Sequence, residues 1–329
     1  MHEILLLIII LAVFFDIANG WHDCANAIAT VVSTKVLSPL TAVLLAAGMN
    51  ILGAFLSTSV AKTIGTGIVE PTAVTDLVII SALLSAILWN IITILLGLPV
   101  SSSHALFGGL AGAAMSYRGV SILNGGGIVK ILMSLICSPI LGIIFGYLFM
   151  KLILHLFGQL SPGYIGRYFG RLQIVSSAFM AFGHGSNDAQ KAMGIITMAL
   201  VSGGVIHTVD VPKWVVLTCA LAMGCGTLFG GWRIIKTLGH KMLKLEPIHG
   251  FSAETSSAAI IIAASHFGMP VSTTHVVSAA ILGVGATKRF SAVRWGIAGK
   301  ITMAWVLTLP FCIAIAWGIE RLFMLYHIG

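Results

Sequence analysis

The chain has 329 residues, of which 58% are hydrophobic and 9% charged, where an ordinary soluble domain carries about 25% charged side chains. So few charges cannot cover the surface of a water-soluble protein of this length, which excludes a soluble enzyme, a nucleic-acid module or a disordered scaffold. The net charge of +8 comes from 18 Lys and Arg against 10 Asp and Glu, and the basic residues lie between apolar runs, as orientation in a lipid bilayer requires.

Stretches apolar enough to span a membrane, which takes roughly 20 residues, occupy 4–33, 38–58, 73–117, 128–154, 172–205, 213–231, 252–287 and 295–320. The run from Ile4 to Phe15 has the length of a signal-peptide core but neither a basic lead nor a small-residue cleavage site, so it is expected to stay in the mature chain. The five cysteines have no zinc or disulfide spacing and read as small core residues; no metal centre or cofactor is expected.

Four of the stretches are interrupted, in two matched pairs. The first contains Asn19-Gly20-Trp21-His22-Asp23-Cys24-Ala25-Asn26, and the stretch 172–205 contains Gly183-His184-Gly185-Ser186-Asn187-Asp188-Ala189-Gln190-Lys191. The third is broken at Pro99-Val100-Ser101-Ser102-Ser103-His104, and 252–287 at Pro270-Val271-Ser272-Thr273-Thr274-His275. Gly20 and Asp23 recur 165 residues later, Pro99-Val100-Ser101 recurs 171 later, and Lys62-Thr63-Ile64-Gly65 recurs 174 later as Lys236-Thr237-Leu238-Gly239. Ordered matches at nearly one offset indicate a duplication, with halves 1–160 and 161–329. Each half crosses the membrane an odd number of times, so the second is expected to insert upside down. The fold expected is therefore an all-α polytopic membrane protein with two inverted-topology repeats, whose broken helices and helical hairpins meet near the bilayer midplane.

Asp23 and Asp188 are carboxylates in apolar stretches, where a charge needs a partner or a cation. Glycine and asparagine beside them tolerate unwound backbone, so free carbonyls are expected to help Asp23 with Asn26, and Asp188 with Asn187, hold a small hard cation. The plainer alternative is that each Asp caps the helix after it.

Proline pre-sets the first turn of a helix, which places Ser101, Ser102 and Ser103, and Ser272, Thr273 and Thr274, where backbone N–H groups lack partners. Hydroxyls, free N–H groups and a helix dipole make an anion site, and two such starts facing each other suit a compact tetrahedral oxyanion. The alternative is that the hydroxyls bond back to the preceding turn. Glu254 has a leucine near its repeat-related position and reads as a substrate contact, a proton acceptor or an interface residue bonded to Ser256 or Ser257. His22, His104, His184 and His275 lie beside these motifs as proton carriers, metal ligands or packing residues.

At these residues the sequence resembles the inorganic phosphate transporter (PiT) family, a family of secondary transporters. Its duplicated Gly-x-Asn-Asp-x-x-Asn signature is matched at 20–26 and 185–191, and the Pro-Val-Ser-x-x-His elements and Gly230-Gly231-Trp232-Arg233-Ile234-Ile235-Lys236-Thr237 are also similar. The resemblance implies symport of inorganic phosphate with H⁺ or Na⁺ across the cytoplasmic membrane by alternating access, no enzymatic activity, and a homodimer. It also implies that the Ser/Thr helix starts carry the anion and the Asp/Asn pairs the cation. Sulfate permease, or divalent-metal or metal–phosphate permease, are the alternatives. In two places the chain departs from the signature: His22 stands at the first Asn of one copy, and Lys191 at the last Asn of the other. An ammonium beside Asp188 supplies charge that a bound cation would otherwise supply, so the second copy is expected to bind sodium poorly and coupling to run through protons or the Asp23 site.

With alternating sides, eleven basic residues fall on one face (Lys35, Lys151, Arg167, Arg171, Arg233, Lys236, Lys241, Lys244, Lys288, Arg289 and Arg294) and five on the other (Lys62, Arg118, Lys130, Lys213 and Arg321). The richer face is expected to be cytoplasmic and both termini outside. A reporter enzyme active only outside the cell, fused at the C-terminus, should therefore be active; a C-terminal fluorescent protein that matures in the cytoplasm would show the reverse orientation.

Overall fold

Every apolar stretch becomes helix, because in lipid each backbone polar group needs a partner within its own segment. The computed structural model describes residues 2–70 and 73–326. Its helices are α1 (His2–Ser33), α2 (Pro39–Ala54), α3 (Ser59–Gly67), α4 (Asp76–Leu96), α5 (Ser102–Arg118), α6 (Gly125–Phe157), α7 (Pro162–Ser202), α8 (Lys213–Leu228), α9 (Trp232–Lys236), α10 (Pro247–His266), α11 (Thr273–Lys288) and α12 (Trp295–Leu325). Among the described residues the β-type pairing is one isolated bridge, Val69 to Leu123. Four helices, α1, α4, α6 and α12, are long and apolar enough to span a membrane. Two bent pairs qualify when each is taken together: α2 with α3 at 72°, and α8 with α9 and the π-helical turn Thr237–Lys241 that extends it at 61°.

The element order of α1–α6 recurs in α7–α12: a long helix, a bent pair, a two-helix hairpin, a short 3₁₀ turn, and a long outer helix. Each outer helix carries an internal proline, Pro139 in α6 and Pro310 in α12. The halves are interleaved. The outer helix α6 packs on α11, and α12 on α5, while α1 packs on α8 and α7 on α2. The lipid-facing surface is supplied largely by α6 and α12, with exposed Leu132, Ile136, Leu148, Met303 and Val306.

The chain turns sharply between α4 and α5 and between α10 and α11, where Gly97 (φ 68°) and Gly268 (φ 64°) adopt left-handed backbone that a side chain would strain. Both turns are tied to the opposite half. Thr63 Oγ1 donates to the Gly268 carbonyl at 2.7 Å, and Thr237 Oγ1 to the Gly97 carbonyl at 2.9 Å. The duplicated Lys-Thr-x-Gly motif thereby gains a structural role that its spacing alone did not disclose.

One expectation is corrected. α1 and α7 run unbroken through the Asp23 and Asp188 motifs, so their carbonyls are committed to helical hydrogen bonds and are not free ligands. The motif glycines serve packing instead. A Cβ on Gly20 would lie 2.5 Å from the Met223 carbonyl oxygen, and one on Gly185 would lie 2.1 Å from that of Asn50. The breaks fall at the bent pairs and at the Pro-Val-Ser turns.

Gly185→Ala should therefore separate α7 from α2 and cost at least about 2 kcal/mol, seen as a lower unfolding temperature in detergent. Gly48→Ala on α2, where an added Cβ meets nothing within 4 Å, should leave that temperature unchanged.

Candidate functional site

The close approach of α1 and α7 to their neighbours, allowed by the motif glycines, brings both aspartates to the same place as the starts of α5 and α11. Asp23 accepts from Ser102 Oγ at 2.9 Å through Oδ2 and from Thr274 Oγ1 at 3.0 Å through Oδ1, and its Oδ1 also lies 2.8 Å from His22 Nδ1. Asp188 Oδ2 accepts from Thr273 Oγ1 at 3.2 Å and from Lys191 Nζ at 2.8 Å. Repeat-related bonds thus join each aspartate to the hydroxyl that follows the Pro-Val-Ser turn of its own half.

A second pair of bonds crosses between the halves. Asn26 Nδ2 donates to Thr274 Oγ1 at 2.9 Å and lies 3.4 Å from Thr273 Oγ1. Its repeat mate Lys191 donates from Nζ to Ser102 Oγ at 2.8 Å. Asp23, Asn26, Ser102, Thr273, Thr274, Asp188 and Lys191 are each at most 1% exposed, so the cluster is closed to solvent. A single ammonium, bonded to Asp188 and Ser102 together, links the two aspartates through that serine. In surroundings this dry, such charge-assisted bonds are far stronger than at a surface.

Not all six hydroxyls expected at the anion site are available in the same way. Ser101 Oγ and Ser272 Oγ cap their helices, each accepting from the backbone N–H three residues on at 3.2 Å, and Ser103 Oγ donates to the Val271 carbonyl at 3.2 Å. Ser102, Thr273 and Thr274 are the ones turned onto the aspartates. Asn187 does not meet Asp188's partners: its Nδ2 donates to Ser265 Oγ at 3.0 Å, at the end of α10, and its Oδ1 has no partner among the described residues.

The histidines divide. His104 and His275 meet at a tilt of 34° with ring centroids 4.8 Å apart, and His275 stacks on Trp305 at 4.0 Å; Trp305 in turn donates to the Pro99 carbonyl. These are packing residues that brace the hairpin turns. His184 Nδ1 lies 2.9 Å from Asn50 Oδ1, and its Nε2 is 3.4 Å from Asp188 Oδ2. Ligating atoms of Asp23, His184 and Asp188 fall within 4.8 Å of one another, a set able to hold a cation. Glu254 is not bonded to Ser256 or Ser257. It accepts from Thr30, Ser176 and, at 3.1 Å, Gln173 Nε2, which ties α10 to α1 and α7 and leaves it away from the aspartate cluster.

Buried polar residues beyond the expected site include Asn90 of α4, whose amide atoms have no partner among the described residues, and a pair on α1. Asp16 and Asn19 are 0% exposed, and neither the carboxylate oxygens nor the amide atoms have a hydrogen-bond partner among the described residues. A lone charge in an apolar run was the available signal, but the repeat mate of Asp16 is Ala181, so nothing in the duplication marks it.

A family model described as "Phosphate transporter family" matches residues 19–316. The chain belongs to the phosphate transporter family. It is 50% identical over 309 residues to a "Probable low-affinity inorganic phosphate transporter" of Bacillus subtilis, covering 93% of this chain and 92% of that protein. A Rhizobium meliloti protein with the same description is 49% identical over 305 residues, covering 92% and 91%. A solved structure described as "The sodium-dependent phosphate transporter" superposes with a TM-score of 0.90 at 26% identity, over 98% of this chain and 99% of that one. These relatives are transporters and not enzymes, and family and fold together make this chain a multi-pass membrane protein of the same kind.

Proposed function

We propose that this phosphate transporter family member imports inorganic phosphate together with a coupling cation, by alternating access around the buried cluster of Asp23, Asp188 and Lys191. The observation that supports this most is the convergence of two aspartates, one ammonium and hydroxyls from two helix starts in one closed centre. Helix starts offer N–H groups and positive dipole ends to an oxyanion. Ser102, Thr273 and Thr274, now bonded to the aspartates, are the donors that can turn to phosphate, while Ser101 and Ser272 hold the turns and Ser103 lines them.

Phosphate at neutral pH carries between one and two negative charges, so import against an inside-negative potential costs about 2.3 kcal/mol per charge per 100 mV. Co-transported cations offset that cost. Asp23 with Asn26, and Asp188 with His184 one turn before it on α7, are the coupling groups; Asn187 positions the end of α10. The aspartates also favour phosphate over sulfate, because a protonated phosphate donates a hydrogen bond and sulfate at this pH does not. The recurring element order supports two inverted halves, 1–160 and 161–329, around the shared site. A solved relative described as sodium-dependent supports a coupling cation, and the Lys191 ammonium already occupying one side of Asp188 supports a chain that needs sodium less.

In proteoliposomes, Asp23→Ala should lower phosphate uptake on the order of 100-fold, the loss of charge-assisted contacts worth about 3 kcal/mol, with helicity and elution volume unchanged. Full accumulation by this variant, or loss of labelled phosphate uptake to excess sulfate as readily as to arsenate, would refute the assignment. Lys191→Asn restores the repeat's own residue and should make uptake sodium-stimulated. Strict wild-type dependence on two sodium ions per phosphate would remove the role given to Lys191.

A further inference from the structure

The face of α1 that meets the cluster carries Asp16, Asn19, Asp23, Asn26 and Thr30, at alternating spacings of three and four that put them on one side of a helix. All five are at most 1% exposed. They form a polar seam of about 21 Å at 1.5 Å per residue, against a hydrocarbon thickness of about 30 Å. Below the cluster the seam ends on Thr30, whose hydroxyl donates to Glu254. Above it, the seam ends on Asp16 and Asn19, whose side-chain polar atoms have no partner among the described residues.

An ionised carboxylate in that position has no hydrogen-bond donor among the described residues. From α7, Asp188 and Lys191 lie within electrostatic reach, but the Lys191 ammonium is already committed to Asp188 and Ser102 at 2.8 Å each. From α8 comes the buried thiol of Cys219. α4 carries one ionisable residue, Asp76 in its first turn, and α2 carries none. Asp16 stands outside the Asp23, His184 and Asp188 group. Three carboxylates therefore share one lysine, and the carboxylate without a donor is Asp16.

We propose that Asp16, assisted by Asn19, is a proton-binding site that couples proton movement to phosphate import; this rests on the phosphate reading above. A proton from water on one face forms the O–H bond on Asp16, and that bond breaks to release the proton to water on the other face, with no other group consumed. A proton fits where sodium does not. The two side chains offer three oxygens between them, and the unbroken helix α1 has no free carbonyls to complete a metal shell, whereas a proton needs one oxygen and an amide that can turn either its C=O or its N–H toward the carboxyl.

The test uses the purified full-length chain in phosphate-loaded and empty liposomes. A gradient of about one pH unit supplies about 1.4 kcal/mol per proton, an accumulation of about tenfold. The wild type should reach it under an acid-outside gradient without sodium, with phosphate-dependent acidification of an internal pH dye. Asp16→Asn should keep exchange of labelled for unlabelled phosphate at equal pH on both sides, yet lose both the accumulation and the acidification; Asp16→Glu should keep all three with a displaced pH midpoint. An Asp16→Asn protein that still accumulates phosphate as the wild type does would overturn the proposal. If Asp16→Asn does not fold, an unshifted pH profile in Asp16→Glu overturns it equally. Absence of phosphate exchange in the wild type would instead overturn the phosphate reading, and this inference with it.

Discussion

A carboxylate within the thickness of a bilayer must find hydrogen-bond donors or a positive charge, because the alternative costs several kcal/mol. The architecture around Asp23 and Asp188 follows from that requirement. Each needs a donor from another element, each obtains a hydroxyl from the first turn of a helix that starts inside the protein, and a helix can start there only if the chain turns back at a hairpin. The hairpins in turn need a glycine with left-handed backbone at the bend and a capping serine to occupy the free N–H groups. Asp23, Ser102, Ser101 and Gly97 are thus successive answers to one demand, repeated in Asp188, Thr273, Ser272 and Gly268.

The element order recurs, but the charges do not. Asn26 and Lys191 stand at matching positions and make matching crossings to the other half, but one is neutral and the other carries a full charge. Asp16 has an alanine as its mate. The added cation and the added anion lie near one another on a scaffold that is otherwise duplicated. The ammonium is spent on Asp188 and Ser102, and the added carboxyl stands where no donor reaches it.

Much of this was legible in the sequence because the informative residues are rare ones. In a chain with 9% charge, two aspartates at matched offsets and two Pro-Val-Ser turns stand out without any structure, and in the fold their side chains converge on one buried cluster. The continuity of α1 and α7 was not legible. Glycine and asparagine beside an aspartate signal unwinding in isolation, yet Gly20 and Gly185 are there because another backbone passes within contact distance, a fact about tertiary neighbours. The same holds for Glu254, whose partners Thr30, Ser176 and Gln173 come from helices distant in sequence. Ser101 and Ser102 are identical as letters; only the geometry of the first turn makes one a cap and the other a ligand.

The two hairpin tips are not fastened alike. The tip at Gly268 is held by the Thr63 hydroxyl, while the tip at Gly97 has the Thr237 hydroxyl and, beside it, the Arg233 guanidinium on the Leu95 carbonyl. Ser59 stands where Arg233 has its repeat mate. A hydroxyl-to-carbonyl bond contributes about 1 kcal/mol, whereas one from a charged donor contributes about 1.5–3 kcal/mol. The two tips, built on the same element order, are thus secured by different chemistry: one end of the molecule carries a charged donor on a hairpin carbonyl and the other does not.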